Sequence, residues 1–364
     1  MSQFKIPYSL DDLFSTMPLG SVERAEVNNL YGINHRQINA ALPMNKDVQG
    51  LTFFVRPQLN LLQDNIRNNR RLYTLLTTND TSIPRFVRNS LDPRLAGGYF
   101  DANGKLAEKV LCPLVDEQQA FIPVLSNNLT ALSGWPDMVQ QTFSSKPGVY
   151  QEIYSQVDGN IENYGEFDID ATFRNIKGDP ILYMFYIWLL YESYVFQGTL
   201  MPYPDFIVEN EIDYCTRIYR LVLDSTKTYV KKISATGACF PISVPTGQFF
   251  DYSSDKPYNE QTKDITVRFR CMGAQYLDDI LVFEFNKTVV IFNVHMKDGT
   301  REQTMTKVNP AMLTIFNNRG YPRINPDNYK LEWWVDKTVF AAKSALLDKY
   351  GLMSKLAQNL QFNP

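Results

Sequence analysis

Between residues 166 and 293 the alternation of apolar and polar positions changes period several times, and each change marks an element. Residues 166–171 alternate acids (Glu166, Asp168, Asp170) with apolar side chains (Phe167, Ile169, Ala171), the pattern of a half-exposed strand. Asp179 and Pro180 then offer an N-cap and a first helical position where the missing N–H of proline costs nothing. The run ILYMFYIWLLYESYVF at 181–196 predicts a helix ended by Gly198, with Tyr183, Phe185, Tyr186, Trp188, Tyr191, Tyr194 and Phe196 spread around its whole circumference. Such a helix is covered on all sides, by its own core or by a neighbouring subunit. It falls short of the roughly 20 apolar residues that span a bilayer, because Glu192 and Ser193 interrupt it.

Strand periodicity returns downstream. Ile265, Val267, Phe269 and Cys271 alternate with Thr266, Arg268 and Arg270, and residues 216–223 follow the rule less strictly. Residues 280–285 and 289–294 flank Asn286, Lys287 and Thr288, which predicts a hairpin. Residues 234–248 carry Gly237, Pro241, Pro245 and Gly247, which predicts a loop or bulged edge segment and no central strand. At the C-terminal end, Val335, Val339, Ala342 and Leu346 fall on one stripe of an amphipathic helix expected over 334–350 and stopped by Gly351, with a shorter helical piece over 352–360. Upstream, Ser9 with Asp11 and Asp12 suits a short helix start over 9–14. Residues 64–98 are polar and arginine-rich, and 101–165 are broken by Pro and Gly.

The order of FDIDATF at 167–173, the aromatic helix, RIYRLVL at 217–223, TGACFP at 236–241 and DITVRFR at 264–270 resembles the strand–helix–strand–turn–strand order of tail-tube-fold proteins, the tube, tube-initiator and baseplate-hub proteins of contractile-tailed bacteriophages. LTFFVRPQLNL at 51–61 is similar to a segment of virion structural proteins in large tailed phages. The resemblance implies an α+β fold: a central antiparallel sheet or sandwich of tail-tube type with one inserted aromatic-rich helix, an irregular N-terminal region and a C-terminal helix. It implies a loop-rich docking region at 1–165, a tube-like β domain at 166–300 and a C-terminal arm at 301–364. A simple tube subunit is shorter, so the flanks are additions of the kind carried by baseplate or neck members. The expected function is that of a tail or baseplate ring component that templates or terminates tube assembly, self-associated with six-fold symmetry, in a virion assembled in the host cytoplasm. Its expected partners are other tail, baseplate or neck proteins, with no membrane and with DNA only as passing genome. Interface candidates are Tyr183, Tyr186, Trp188, Tyr191, Tyr194, Arg217, Arg268, Arg270, Arg70 and Arg71.

Composition narrows the alternatives. With 364 residues, 44% hydrophobic and 21% charged, the chain is long enough for a substantial core and reads as folded. A formal net charge of −3 gives no general affinity for nucleic acid or acidic membranes. Residues 1–14 show neither a basic nor an apolar signal region, and Cys112, Cys215, Cys239 and Cys271 are spaced too widely for a zinc or redox unit, so reduced thiols are expected. The two histidines, His35 and His295, lack ligand spacing, and nucleotide-loop and nucleophile-elbow motifs are absent. No catalytic, cofactor-binding or metal residues are assigned. Two other classes remain open. Glu166, Asp168 and Asp170 share a strand face and suit calcium binding or glycan binding and cleavage, unless they are simply the solvent or lumen side of that strand. Arg67, Arg70, Arg71, Arg85, Arg88 and Arg94, with Tyr73 and Phe86, suit a neck or head–tail connector that binds DNA or portal-side partners, unless they form a docking surface for an acidic protein.

Overall fold

The computed structural model of the chain describes residues 50–349 apart from 101–103, 160–162, 253, 256, 258–261, 310, 311, 313–315 and 317–319. The helix starts expected over 9–14 and 352–360 lie outside these residues. In chain order the elements are β1 (Thr52–Phe54), α1 (Ile83–Leu91), β2 (Tyr99–Phe100), β3 (Leu106–Glu108), α2 (Pro123–Asn128), β4 (Leu129–Ser133), β5 (Thr142–Ser144), β6 (Ser155–Val157) and β7 (Asn163–Arg174). There follow α3 (Pro180–Phe196), α4 (Pro204–Glu209), β8 (Ile218–Leu223), β9 (Val230–Ser243), β10 (Asp264–Tyr276), α5 (Ile280–Phe292), β11 (Met305–Val308), β12 (Tyr321–Ile324), β13 (Leu331–Asp336) and α6 (Lys337–Lys349), besides short helical turns. The fold is α+β. A six-stranded antiparallel sheet runs β1-β8-β9-β10-β7-β4, and a three-stranded sheet runs β11-β13-β12.

The alternation on β7 and β10 sets the main core. Ile169 lies opposite Phe269 and Ala171 opposite Val267, and these side chains are fully buried together with Phe173, Ile265 and Cys271. Helix α3 covers them. The Phe185 ring meets those of Phe173 and Phe269, each at 5.6 Å. Each such buried ring is worth about 2–3 kcal/mol of apolar transfer. Adjacent strand residues face opposite ways, so on β1 Phe54 reaches Phe173 and Phe269 while Phe53 enters a second core with Phe121 and Phe285.

Three sequence expectations are corrected. The hairpin expected over 280–294 is helix α5, whose buried Leu281, Val282, Phe285 and Val289 recur at helical spacing. Asp278 accepts from the Ile280 N–H at 3.0 Å and starts it, and the polar stretch mistaken for a turn holds Asn286, which donates to Ile324 O at 2.7 Å and accepts from Ile324 N at 2.9 Å as a strand edge would. The loop expected over 234–248 is mostly β9, a central strand. Gly237 is required there, since a Cβ would sit 2.1 Å from Met272 O, and Pro241 lies beyond the 230–235 stretch that β8 pairs. The C-terminal helix begins at Lys337; Trp334 and Val335 belong to β13, and Val339 and Ala342 are exposed, so these two do not form a buried face. Asp179 holds the N-cap position of α3 in the left-handed region (φ 52°) and makes no side-chain cap; its carboxylate accepts from Asn175 instead.

A buried polar network ties α3 to its surroundings. Tyr191 donates to Asp213 and accepts from Asn60 N at 3.1 Å; Tyr203 donates to Asp92 at 2.8 Å, and Asp92 also accepts from Leu61 N at 2.9 Å. Burial pushes Asp92 and Asp213 up to about 6. Burial, then the Asp213 charge, pushes Glu192 up to about 9, and Glu192 Oε1 has no hydrogen-bond partner among the described residues.

Gly237→Ala is expected to destabilise the chain by about 2 kcal/mol or more in urea unfolding, because the new methyl meets backbone. Because Glu192 is protonated in the folded chain and ionised in the unfolded one above pH 4.5, its contribution to stability falls as pH rises from 4.5 towards 9. Glu192→Gln is therefore expected to stabilise by about 2 kcal/mol or more at pH 8 and to change little at pH 4, measured by the same unfolding.

Candidate assembly surface

The face of β7 and β10 turned away from α3 carries the charged half of the alternation. Antiparallel register sets Arg268 opposite Asp170, Arg270 opposite Asp168 and Thr266 opposite Thr172. Arg268 Nε meets Asp170 Oδ1 at 2.8 Å, Arg270 Nη1 meets Glu166 Oε1 at 2.8 Å and Arg270 Nε also meets Asp168. The two threonine hydroxyls are 3.0 Å apart. Hydrogen bonding to Asp170 raises the Arg268 pKa, and hydrogen bonding to Glu166 and Asp168 raises that of Arg270. Both guanidinium groups stay solvent-accessible, so these pairs add little to stability. They form a surface ladder of three carboxylates and two arginines, one negative charge in excess.

That ladder occupies the carboxylates that suggested an acid/base pair or a calcium site. Among the described residues no cluster of three or more metal-ligating side chains is present.

The other interface candidates are dispersed. Trp188 is buried within the chain and donates to Tyr214 O at 3.0 Å, and Tyr191 is buried in the polar network. Tyr183 is half-buried, its hydroxyl 2.6 Å from Thr74 Oγ1, and with half-buried Tyr186 and exposed Phe250 it lines a groove of about 550 Å³. Tyr194 is half-buried. Arg217 bridges β8 to α5 through Glu284 at 2.6 Å and donates to Thr236 O at 2.8 Å.

The arginine group is divided. Arg88 is buried and donates to Leu61 O and Glu108; Arg94 forms a two-point pair with Asp205; Arg85 donates to Leu111 O; Arg67 pairs with Asp64. Arg70 and Arg71 are exposed.

Two features carry no sequence signal strong enough to find them. Strand β4 is an outer strand of the main sheet, and Thr130, Ala131 and Ser133 on it are exposed. At the other side β1 is capped by the 120–122 segment, through Ile122 N to Phe54 O at 2.9 Å and Arg56 N to Ala120 O at 2.9 Å. Beyond β4, residues 137–159 project as the β5–β6 hairpin with no buried side chain.

Comparison with solved structures gives distant likenesses. The anti-feeding prophage cap (AFP tube terminating cap) shows 13% identity and a TM-score of 0.27 over 43% of this chain and 81% of that one. The PVC sheath–tube complex of an extracellular contractile injection system in its extended state gives 12% and 0.27 over 43% and 82%, and the PVC sheath/tube terminator 11% and 0.24 over 43% and 84%. At these TM-scores the likeness bears no weight on role. No curated protein matches the chain. A family model described as "Putative phage tail tube protein" matches residues 9–352. With nearly the whole sequence inside that match, the chain belongs to the phage tail tube protein family, structural components of the phage tail.

Proposed function

We propose that this protein forms a ring at an end of the tail tube, where it templates or terminates tube growth. The observation that supports this reading is the two-sided β10-β7 part of the sheet: one face is sealed by α3, while the other carries an uncovered row of paired charges and leads to the outer strand β4. A sheet edge is a template for another strand unless something covers it. Pairing of β4 with a neighbouring copy, repeated six times, closes a barrel in which the charged ladder lines the lumen. A wall of ion pairs with a slight acidic excess lets DNA pass without gripping it. The additions outside the tube-like unit, including the β11-β13-β12 sheet, then meet partners in baseplate or neck. Assembly takes place in the host cytoplasm and the ring is carried in the virion. Its action is geometric, with no turnover. The connector reading, with Arg70 and Arg71 on DNA, draws less support because four neighbours of that group are committed to partners inside the chain.

Native mass spectrometry of the purified protein is expected to show a six-fold ring; a monomer at every concentration contradicts the proposal. Arg268→Glu with Arg270→Glu places only like charge on the lumen face, so the ring fraction is expected to fall about tenfold or more at low salt and to recover in about 1 M salt, where the screening length is near 3 Å.

A further inference from the structure

Ring closure through β4 leaves the hairpin of 137–159 without a role. It is built, not frayed: Ser145 N donates to Tyr154 O at 2.8 Å and Gly148 N to Glu152 O at 3.0 Å. It is also bare. At its tip Val149 is 92% and Tyr150 91% exposed, and Met138, Val139, Phe143, Ile153, Tyr154 and Val157 are each more than half exposed. An isolated two-stranded hairpin is marginal in water. The exposed apolar side chains of this one present roughly 1,000 Å², enough for one side of a standard interface.

A cleft of about 370 Å³ elsewhere on the chain has the matching chemistry. Its walls are Phe121, Pro123, Pro322 and Trp333, so it joins the 113–127 segment to the C-terminal sheet. Its polar lining includes acceptors open to a donor. Gln119 Oε1 and Ser126 Oγ are buried without a hydrogen-bond partner among the described residues, and the Asp116 carboxylate, beside Glu117, accepts from the Tyr321 hydroxyl at 3.0 Å and the Gln118 N–H at 3.0 Å, which leaves lone pairs for a further donor. Unpaired buried acceptors cost free energy until a donor arrives. The hairpin tip supplies donors, the Lys146 ammonium and the Tyr150 hydroxyl, next to an apolar Pro147–Val149 turn, and no hairpin residue lines the cleft of its own chain.

We propose that the hairpin tip, residues 146–150, seats in this cleft on a second copy of the chain, Tyr150 against the proline and aromatic walls and Lys146 on Asp116. The proposal rests on the ring reading only in taking the partner to be a second copy within the assembly. The Lys146 charge against Asp116 and the exposed apolar area of the tip favour that occupant, since both halves of the contact are present in one sequence.

The test mixes two full-length variants, Gln151→Cys, exposed beside the tip, and Asn127→Cys, at the cleft rim, under mild oxidation, with each variant alone as control. A covalent dimer from the mixture, absent from either variant alone, is the expected result. Rings in native mass spectrometry without that dimer overturn the hairpin assignment and leave the ring reading; the dimer without rings keeps the assignment and removes the ring reading; neither overturns both. As a second measurement, a synthetic peptide of residues 144–155 is expected to change Trp333 fluorescence saturably, with affinity lowered about tenfold or more by Lys146→Glu, and no change with the parent peptide contradicts the contact.

Discussion

The antiparallel register of β7 against β10 is the constraint on which the rest of the structure depends. Ile169 facing Phe269 and Asp168 facing Arg270 put Ile169, Ala171, Phe173, Ile265, Val267, Phe269 and Cys271 on one side and Glu166, Asp168, Asp170, Arg268 and Arg270 on the other. A slip of β10 by one residue would drive Arg268 and Arg270 into the core beneath α3 and expose Val267 and Phe269. The cost of burying two unpaired guanidinium groups far exceeds that of any single lost contact, so the register is strongly specified. One face is thereby committed to the core and the other to exposed ion pairs.

Helix α3 seals the committed face, and its tyrosines show how. Phe185 fills the space over the sheet, while Tyr191 carries an apolar ring inward and delivers its hydroxyl to Asp213 at the far end of the same layer. Asp92, Tyr203 and Asn60 extend this network into the segment that precedes β4, so the aromatic helix is tied to the N-terminal part of the described chain as well as to the sheet. The polar groups of this layer face one another and leave the outer surface of the sheet to the ion-pair ladder.

Much of this was legible in the residues and some was not, for identifiable reasons. The period-two patterns of 166–171 and 265–271 gave the strands, and the run at 181–196 gave the helix, because each pattern is long and its register with the core is unambiguous. The run at 280–292 has β-branched residues and a polar interruption, and only tertiary contact, Asn286 on the edge of β12, decides for helix. Gly237 and Pro241 read as breakers, yet Gly237 is what lets β9 lie close to β10. Tyrosine spacing did not separate a buried hydroxyl with a carboxylate partner, as in Tyr191, from a surface ring, and arginine spacing did not separate Arg88, bonded to a backbone carbonyl, from Arg70. The ladder is the converse case: pairing partners 98 and 102 residues apart follow from strand register once the sheet order is known.

In the proposed ring the outer strand β4 is the place where copies join, and amide hydrogen exchange at Leu129–Ser133 reads that junction directly. Compared between the assembled and the dissociated protein, exchange of the outward-facing amides of β4 is predicted to slow about tenfold or more on assembly, as new strand-to-strand hydrogen bonds form. Exchange at β4 that is equally fast in both states, in a preparation shown to be assembled, would contradict edge pairing as the basis of the ring.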